Sequence, residues 1–121
     1  MNGLYDLHTH SILSDGEMLP IELIRRMAVL GYTTVAITDH VDASNAFSVI
    51  DALTLVRESA EMFGVRLLCG VEITHMPPAQ IAGLARQVKE RGADIVVVHG
   101  ETTVEPVAPG TNHAACSCKE V

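Results

Sequence analysis

Residues 5–17 read YDLHTHSILSDGE and place His8 and His10 on either side of Thr9, with the carboxylate of Asp15 shortly beyond. Side chains at i and i+2 of an extended segment point the same way, so two rings flanking one residue can reach a single ion. The same composition also suits a polar loop, with Asp15 as the turn residue of Ser14-Asp15-Gly16. Farther along, metal-capable side chains recur as Asp39-His40 in ITDH, Glu72 in GVEIT and His99 in VVVHGE. Taken singly, His40 reads as a core histidine and Glu72 as a cap. Taken together, His10, His40, Glu72 and His99 recur at intervals of 30, 32 and 27 residues, close to the length of one βα unit.

That regularity favours a metal site built from His8, His10, His40, Glu72 and His99. An imidazole and carboxylate set suits zinc, manganese or iron without choosing among them. Thiolate is absent from the set, which argues against a structural zinc knuckle. Asp39, beside His40, is expected to orient a ligand ring from behind. His75 follows Glu72 by three residues and is a candidate for the substrate pocket, with a plain loop histidine as the alternative. His113 reads as a solvated residue, and Cys116-Ser117-Cys118 as an incidental pair.

The elements that must position these residues follow from two periodicities. β-Branched, near-continuous apolar runs at 33–38, 65–69 and 95–98, with a weaker one at 4–7, suit parallel strands buried on both faces. Between them lie helical stripes. Leu23, Met27 and Leu30 follow Pro20 and stop at Gly31; Val49, Leu53, Val56, Ala60 and Phe63 form one helix stopping at Gly64. The third, Ile81, Leu84, Ala85 and Val88, follows Pro77-Pro78 and ends at Gly92. The pattern predicts an α/β fold of parallel βα repeats, either an open sheet or part of a (β/α) barrel. In both, ligands bind at the C-terminal strand ends, where the metal-capable residues fall. Residues 100–121 read as a mostly irregular tail, with a start of helix near 112–115.

Composition bounds the partners. A chain of 121 residues that is 48% hydrophobic and 3% aromatic makes one domain with an aliphatic core. A net charge of −7 repels a phosphate backbone and disfavours a nucleic-acid partner. An enzyme that meets phosphate through metal ions stays compatible with it. Three cysteines make no disulfide framework, so a reducing cytoplasm is the expected location. Neither a signal-peptide pattern nor an apolar run of about 18 residues is present, so no membrane association is expected.

DLHTHSILSDGE, ITDH, GVEIT and VVVHGE, in this order, resemble the first four motifs of the PHP (polymerase and histidinol phosphatase) family over residues 4–112. PVAPGTN is similar to a histidinol-phosphatase-like stand-alone branch of it. The resemblance implies the N-terminal four-strand part of a distorted (β/α)7 TIM-like barrel, a PHP domain spanning residues 1–121. It implies up to three divalent metals at the rim and hydrolysis of a small phosphate monoester by a metal-bound hydroxide. On this sequence His8 and His10 would bind one metal with Glu72, Glu72 would bridge to a second held by His99, and Asp15 and His40 would hold a third. It also implies ligands beyond the fourth motif, a His-Pro histidine and an Asp-x-His pair, and residues 100–121 contain neither. A truncated fragment that binds metal without turnover is therefore one alternative, and a PHP-type nuclease another. The cations Arg25, Arg26, Arg57, Arg66, Arg86, Lys89 and Arg91 fall on helices or strand starts, leaving Lys119 in the tail. The expected partners are a small phosphorylated substrate and a second copy of the chain through the open sheet edge.

Overall fold

The apolar runs become four strands, β1 (Leu4–Thr9), β2 (Tyr32–Val41), β3 (Arg66–Ile73) and β4 (Ile95–Val98), in a computed structural model that describes residues 3–121. All pair in parallel in the order β1-β2-β3-β4. Helices α1 (Pro20–Val29), α2 (Ala46–Leu55), α3 (Arg57–Met62), α4 (Pro78–Glu90) and α5 (Thr111–Cys116) alternate with them. Parallel strands that are neighbours in both sequence and space are the arrangement of consecutive strands in a TIM-like α/β barrel.

The core forms where the strand interiors meet the helix stripes. Val35, Ile37, Leu67, Cys69, Val71 and Ile73 are buried against Ile24 of α1, Ile50 and Leu53 of α2, and Ile81 and Val88 of α4. Each such side chain contributes about 1.5–3 kcal/mol when fully buried. At the sheet's outer edge β1 leaves Leu4, Tyr5 and Leu7 exposed.

Three elements depart from the expectation. β2 and β3 run past their apolar segments to Val41 and Ile73, so that His40 stands opposite Glu72 in the ladder. Pairing continues there because the polar side chains of Thr38, Asp39 and Glu72 are buried with partners; a strand needs a fitting surface, not an apolar one. The single helix expected over 49–63 is two. The Thr54 hydroxyl donates back to the Asp51 carbonyl, and Val56 leaves helical geometry with φ −106° and ψ 5°.

The tail is more ordered than expected. Glu101 accepts from the backbone N–H groups of Gly110 and Asn112, while Asn112 Oδ1 accepts from the Glu101 N–H. This reciprocal clasp folds the segment back, buries Val107 and Thr111, and starts α5 at Gly110, whose φ of 95° suits glycine. Among the described residues no helix is long and apolar enough to cross a membrane.

Gly70 lies at a close approach between strands. A Cβ there would stand 2.5 Å from Ile95 Cγ2 and 2.9 Å from both the Ile95 carbonyl oxygen and Thr38 Cγ2. The Gly70→Ala variant is expected to lose about 2 kcal/mol through overpacking between β2 and β4. Urea denaturation checks this: the midpoint falls while the slope stays unchanged.

Candidate metal centre

The rim is assembled from four strand ends. At the first, the Thr9 hydroxyl donates to the Ala36 carbonyl at 2.7 Å, pinning the end of β1 onto β2. His8 and His10, on either side of that anchor, turn to the same carboxylate. His8 Nε2 lies 2.9 Å and His10 Nε2 2.8 Å from Glu72 Oε1. The Glu72 side chain is only 7% exposed, whereas that of His8 is half exposed, so one buried oxygen collects both rings.

His40 faces Asp15 and Glu72 at once. Its Nε2 stands 3.4 Å from Asp15 Oδ2 and its Nδ1 3.9 Å from Glu72 Oε1. The Thr74 hydroxyl donates to the Glu72 carbonyl and so accepts from His40 Nδ1–H at 2.7 Å. That assigns the tautomer and leaves the lone pair on Nε2. His99 shows the same device, with Nδ1–H donating to the Gly100 carbonyl at 2.9 Å. Metal-binding imidazoles are ordinarily held in this way, through the nitrogen that does not meet the ion.

Asp15 reaches the rim through its loop. Its Oδ1 accepts from His10 Nδ1 at 2.9 Å. Asp39, expected to orient an imidazole ring, instead holds this loop. Its Oδ1 accepts from the Ser11 N–H and the Ser14 hydroxyl, and its Oδ2 from the Ser11 hydroxyl. Asp39 and Ser11 are fully buried; β2 directs the Asp39 carboxylate away from its neighbour's ring because adjacent strand residues face opposite sides. Gly16 closes the loop. Its N–H donates to the Ser11 carbonyl, and a Cβ there would lie 2.4 Å from the His10 carbonyl oxygen.

The electrostatics agree with the geometry. Burial pushes the Glu72 carboxyl up, but hydrogen bonds from His8 and His10 and the nearby imidazole charges outweigh it, leaving its pKa below the ordinary 4.5. For Asp15 burial again raises the pKa, and His10 and His40 together bring it below the usual value. Two groups of donor atoms lie close enough to hold an ion, His8–His10–Glu72 and His10–Asp15–His40, each with all atoms within 4.8 Å. His10 belongs to both. His99 stands outside them, its ring centroid 6.1 Å from that of His40.

Beside the rim opens a cavity of about 660 Å³, walled by Asp15, His40 and His99 on the metal side and by Asn45, His75 and Glu105 away from it. His75 adopts a left-handed backbone with φ 65° and hydrogen-bonds through Nε2 to Glu105. His113, on α5, is exposed, and Cys116 and Cys118 are free thiols. Thr74, Ser11 and Ser14 are the positioning residues that motif reading passed over. Thr74 alone left a signal, lying two residues from Glu72 and so on the same side of the extended chain.

Residues 6–108 match the PHP domain. The chain belongs to the PHP domain family. Members of the PHP family are metal-dependent hydrolases that include phosphoesterases and nucleases. This PHP chain is 45% identical over 119 residues to an uncharacterized protein of Methanocaldococcus jannaschii, covering 97% of this chain and 55% of that protein. It is 36% identical over 74 residues to a 5'-3' exoribonuclease of Haemophilus influenzae, covering 61% of this chain and 24% of the relative. With the 5'-3' exoribonuclease Rnm of Salmonella typhimurium it shares 36% over 73 residues, 59% of this chain and 22% of that protein. The chain thus spans about half of the first of these relatives and under a quarter of the other two.

Proposed function

We propose that the rim is a divalent-metal centre at which this PHP protein hydrolyses a phosphoester, with a small phosphate monoester of the histidinol-phosphatase-like kind as substrate. The observation that carries the proposal is the shared Glu72 Oε1, met by His8 and His10, beside His40 and His99 whose Nδ1 atoms are already engaged. His8, His10 and Glu72 would hold one ion, Asp15 and His40 another beside His10, and His99 with Glu72 a third. Zinc, manganese and iron all suit these donors. When bound, such ions supply Lewis acidity to the phosphoryl oxygens and acidify the attacking water. The chain's own residues hold the ligand atoms in place: Thr74 and Gly100 fix ring tautomers, and Asp39 keeps Asp15 on the rim.

A small substrate is favoured over a polynucleotide by the charge of −7 and by the cavity lining, which has no lysine, arginine, phenylalanine or tyrosine. The nuclease reading rests on the similarity to the two exoribonucleases. Metal analysis of the purified protein, followed by assays with p-nitrophenyl phosphate and with a 5'-phosphorylated RNA oligonucleotide in added manganese or zinc, separates the readings. The expected result is bound metal and ester hydrolysis that a chelator abolishes. RNA degradation that depends on Glu72 would make the nuclease reading the better one. Bound metal with no turnover of either substrate would leave a metal-binding domain, and absence of metal would overturn the proposal.

A further inference from the structure

We propose that His75, oriented by Glu105, is the side chain that binds the phosphoryl group of the substrate in the cavity beside the metal ligands, an assignment that rests on the phosphoesterase reading. A phosphoryl group carries more negative charge than metal contacts on one face leave satisfied, and a protein normally meets the rest with N–H donors. Here the cavity offers no lysine or arginine, and it carries the carboxylates of Asp15, Asp42 and Glu105. Its imidazoles are His40, His75 and His99. His40 and His99 commit Nδ1 to Thr74 and Gly100, and His40 Nε2 faces Asp15. His75 differs from both: Nε2 engages Glu105, and Nδ1 has no protein partner among the described residues. Glu105 occupies Nε2, and Nδ1 is left to share a proton with a phosphoryl oxygen, whichever of the two carries it.

The backbone supports the same assignment. His75 is the only non-glycine residue with positive φ among the described residues, a conformation that costs a side chain with a Cβ and persists where the surroundings enforce it. It lies three residues past Glu72, where β3 has just ended. Glu105 lies in the segment after β4 that the Glu101–Asn112 clasp folds back. The ring is thus tethered from two separate loops at the cavity wall, a precise placement with no apparent need in the core, because the pair is more than two-fifths exposed on both sides.

Calorimetric titration of inorganic phosphate into the manganese-loaded protein, with metal content measured on the same samples, tests this. Asparagine tolerates the left-handed conformation, so His75→Asn is expected to fold with an unchanged or higher thermal midpoint. It should keep the full metal complement and bind phosphate about ten-fold more weakly, the loss of one charge-assisted hydrogen bond. Glu105→Gln should weaken phosphate by about three-fold, since it loosens the ring without removing it. Parent-like phosphate affinity in His75→Asn, with metal retained, overturns this assignment and leaves the phosphoesterase reading standing. Loss of metal in His75→Asn overturns it as well, by making the ring a ligand. A parent protein that holds no metal overturns both.

Discussion

Replacing Glu72 by glutamine is expected to abolish metal binding at the candidate centre, with a drop in metal affinity of more than about 100-fold, since even the partners of metal ligands are worth 10–100-fold. The substitution preserves size and burial, so the fold should survive it. What changes is one atom and one charge. Glu72 Oε1 meets two imidazole nitrogens at 2.8 and 2.9 Å, and the neutral amide of glutamine supplies neither the negative charge nor the second donor oxygen that a divalent ion takes from a carboxylate. Any phosphoesterase activity should fall with the metal and stay lost at saturating manganese. Metal content after gel filtration, read beside circular dichroism, checks this. A Glu72→Gln protein that retains the parent's metal stoichiometry would show that the centre is not built around this residue.

Asp39→Ala should destabilise the fold by about 3–4 kcal/mol, because it strands several buried donors at once. The Ser11 N–H, the Ser11 hydroxyl and the Ser14 hydroxyl all donate to this one carboxylate, and neither Asp39 nor Ser11 is exposed to water that could replace it. The thermal midpoint should fall by about 10–15 °C. Asp39→Asn, which keeps the volume and one accepting oxygen, should lose about half as much. The loop is also what places Asp15 on His10, so metal held by Asp15 and His40 should be lost first while His8, His10 and Glu72 keep theirs. Scanning calorimetry with metal counts on the same variants resolves the two effects. Full metal content in a destabilised Asp39→Ala protein would assign Asp39 to the fold alone.

Much of the architecture was readable one element at a time. The runs at 33–38 and 95–98 lie within β2 and β4, the run at 65–69 leads into β3, and α4 buries the residues its periodicity named. By contrast, α1 buries Ile24 and leaves Leu23 and Met27 half-buried and Leu30 exposed. Failures occurred where local pattern and local hydrogen bonding disagreed. The stripe from Val49 to Phe63 continues across Val56, but the back-bond of Thr54 ends the helix there. In the tail, small residues and prolines read as irregular, and the Glu101–Asn112 clasp that orders them leaves no periodic trace.

The same division runs through the site. Sequence alone determined which residues reach the rim, because alternation along a strand and the βα repeat length are local properties of the chain. It placed His8, His10, His40, Glu72 and His99 there without a contact being known. Only the tertiary structure decided which atoms meet. That His10 serves both donor groups, that Thr74 rather than Asp39 holds a ring, and that Asp39 closes on Ser11 and Ser14 all depend on strand register and loop closure across 25 to 64 residues of chain. A one-residue slip between β2 and β3 would keep every motif intact and turn Glu72 away from the imidazoles, because side chains alternate in direction along a strand.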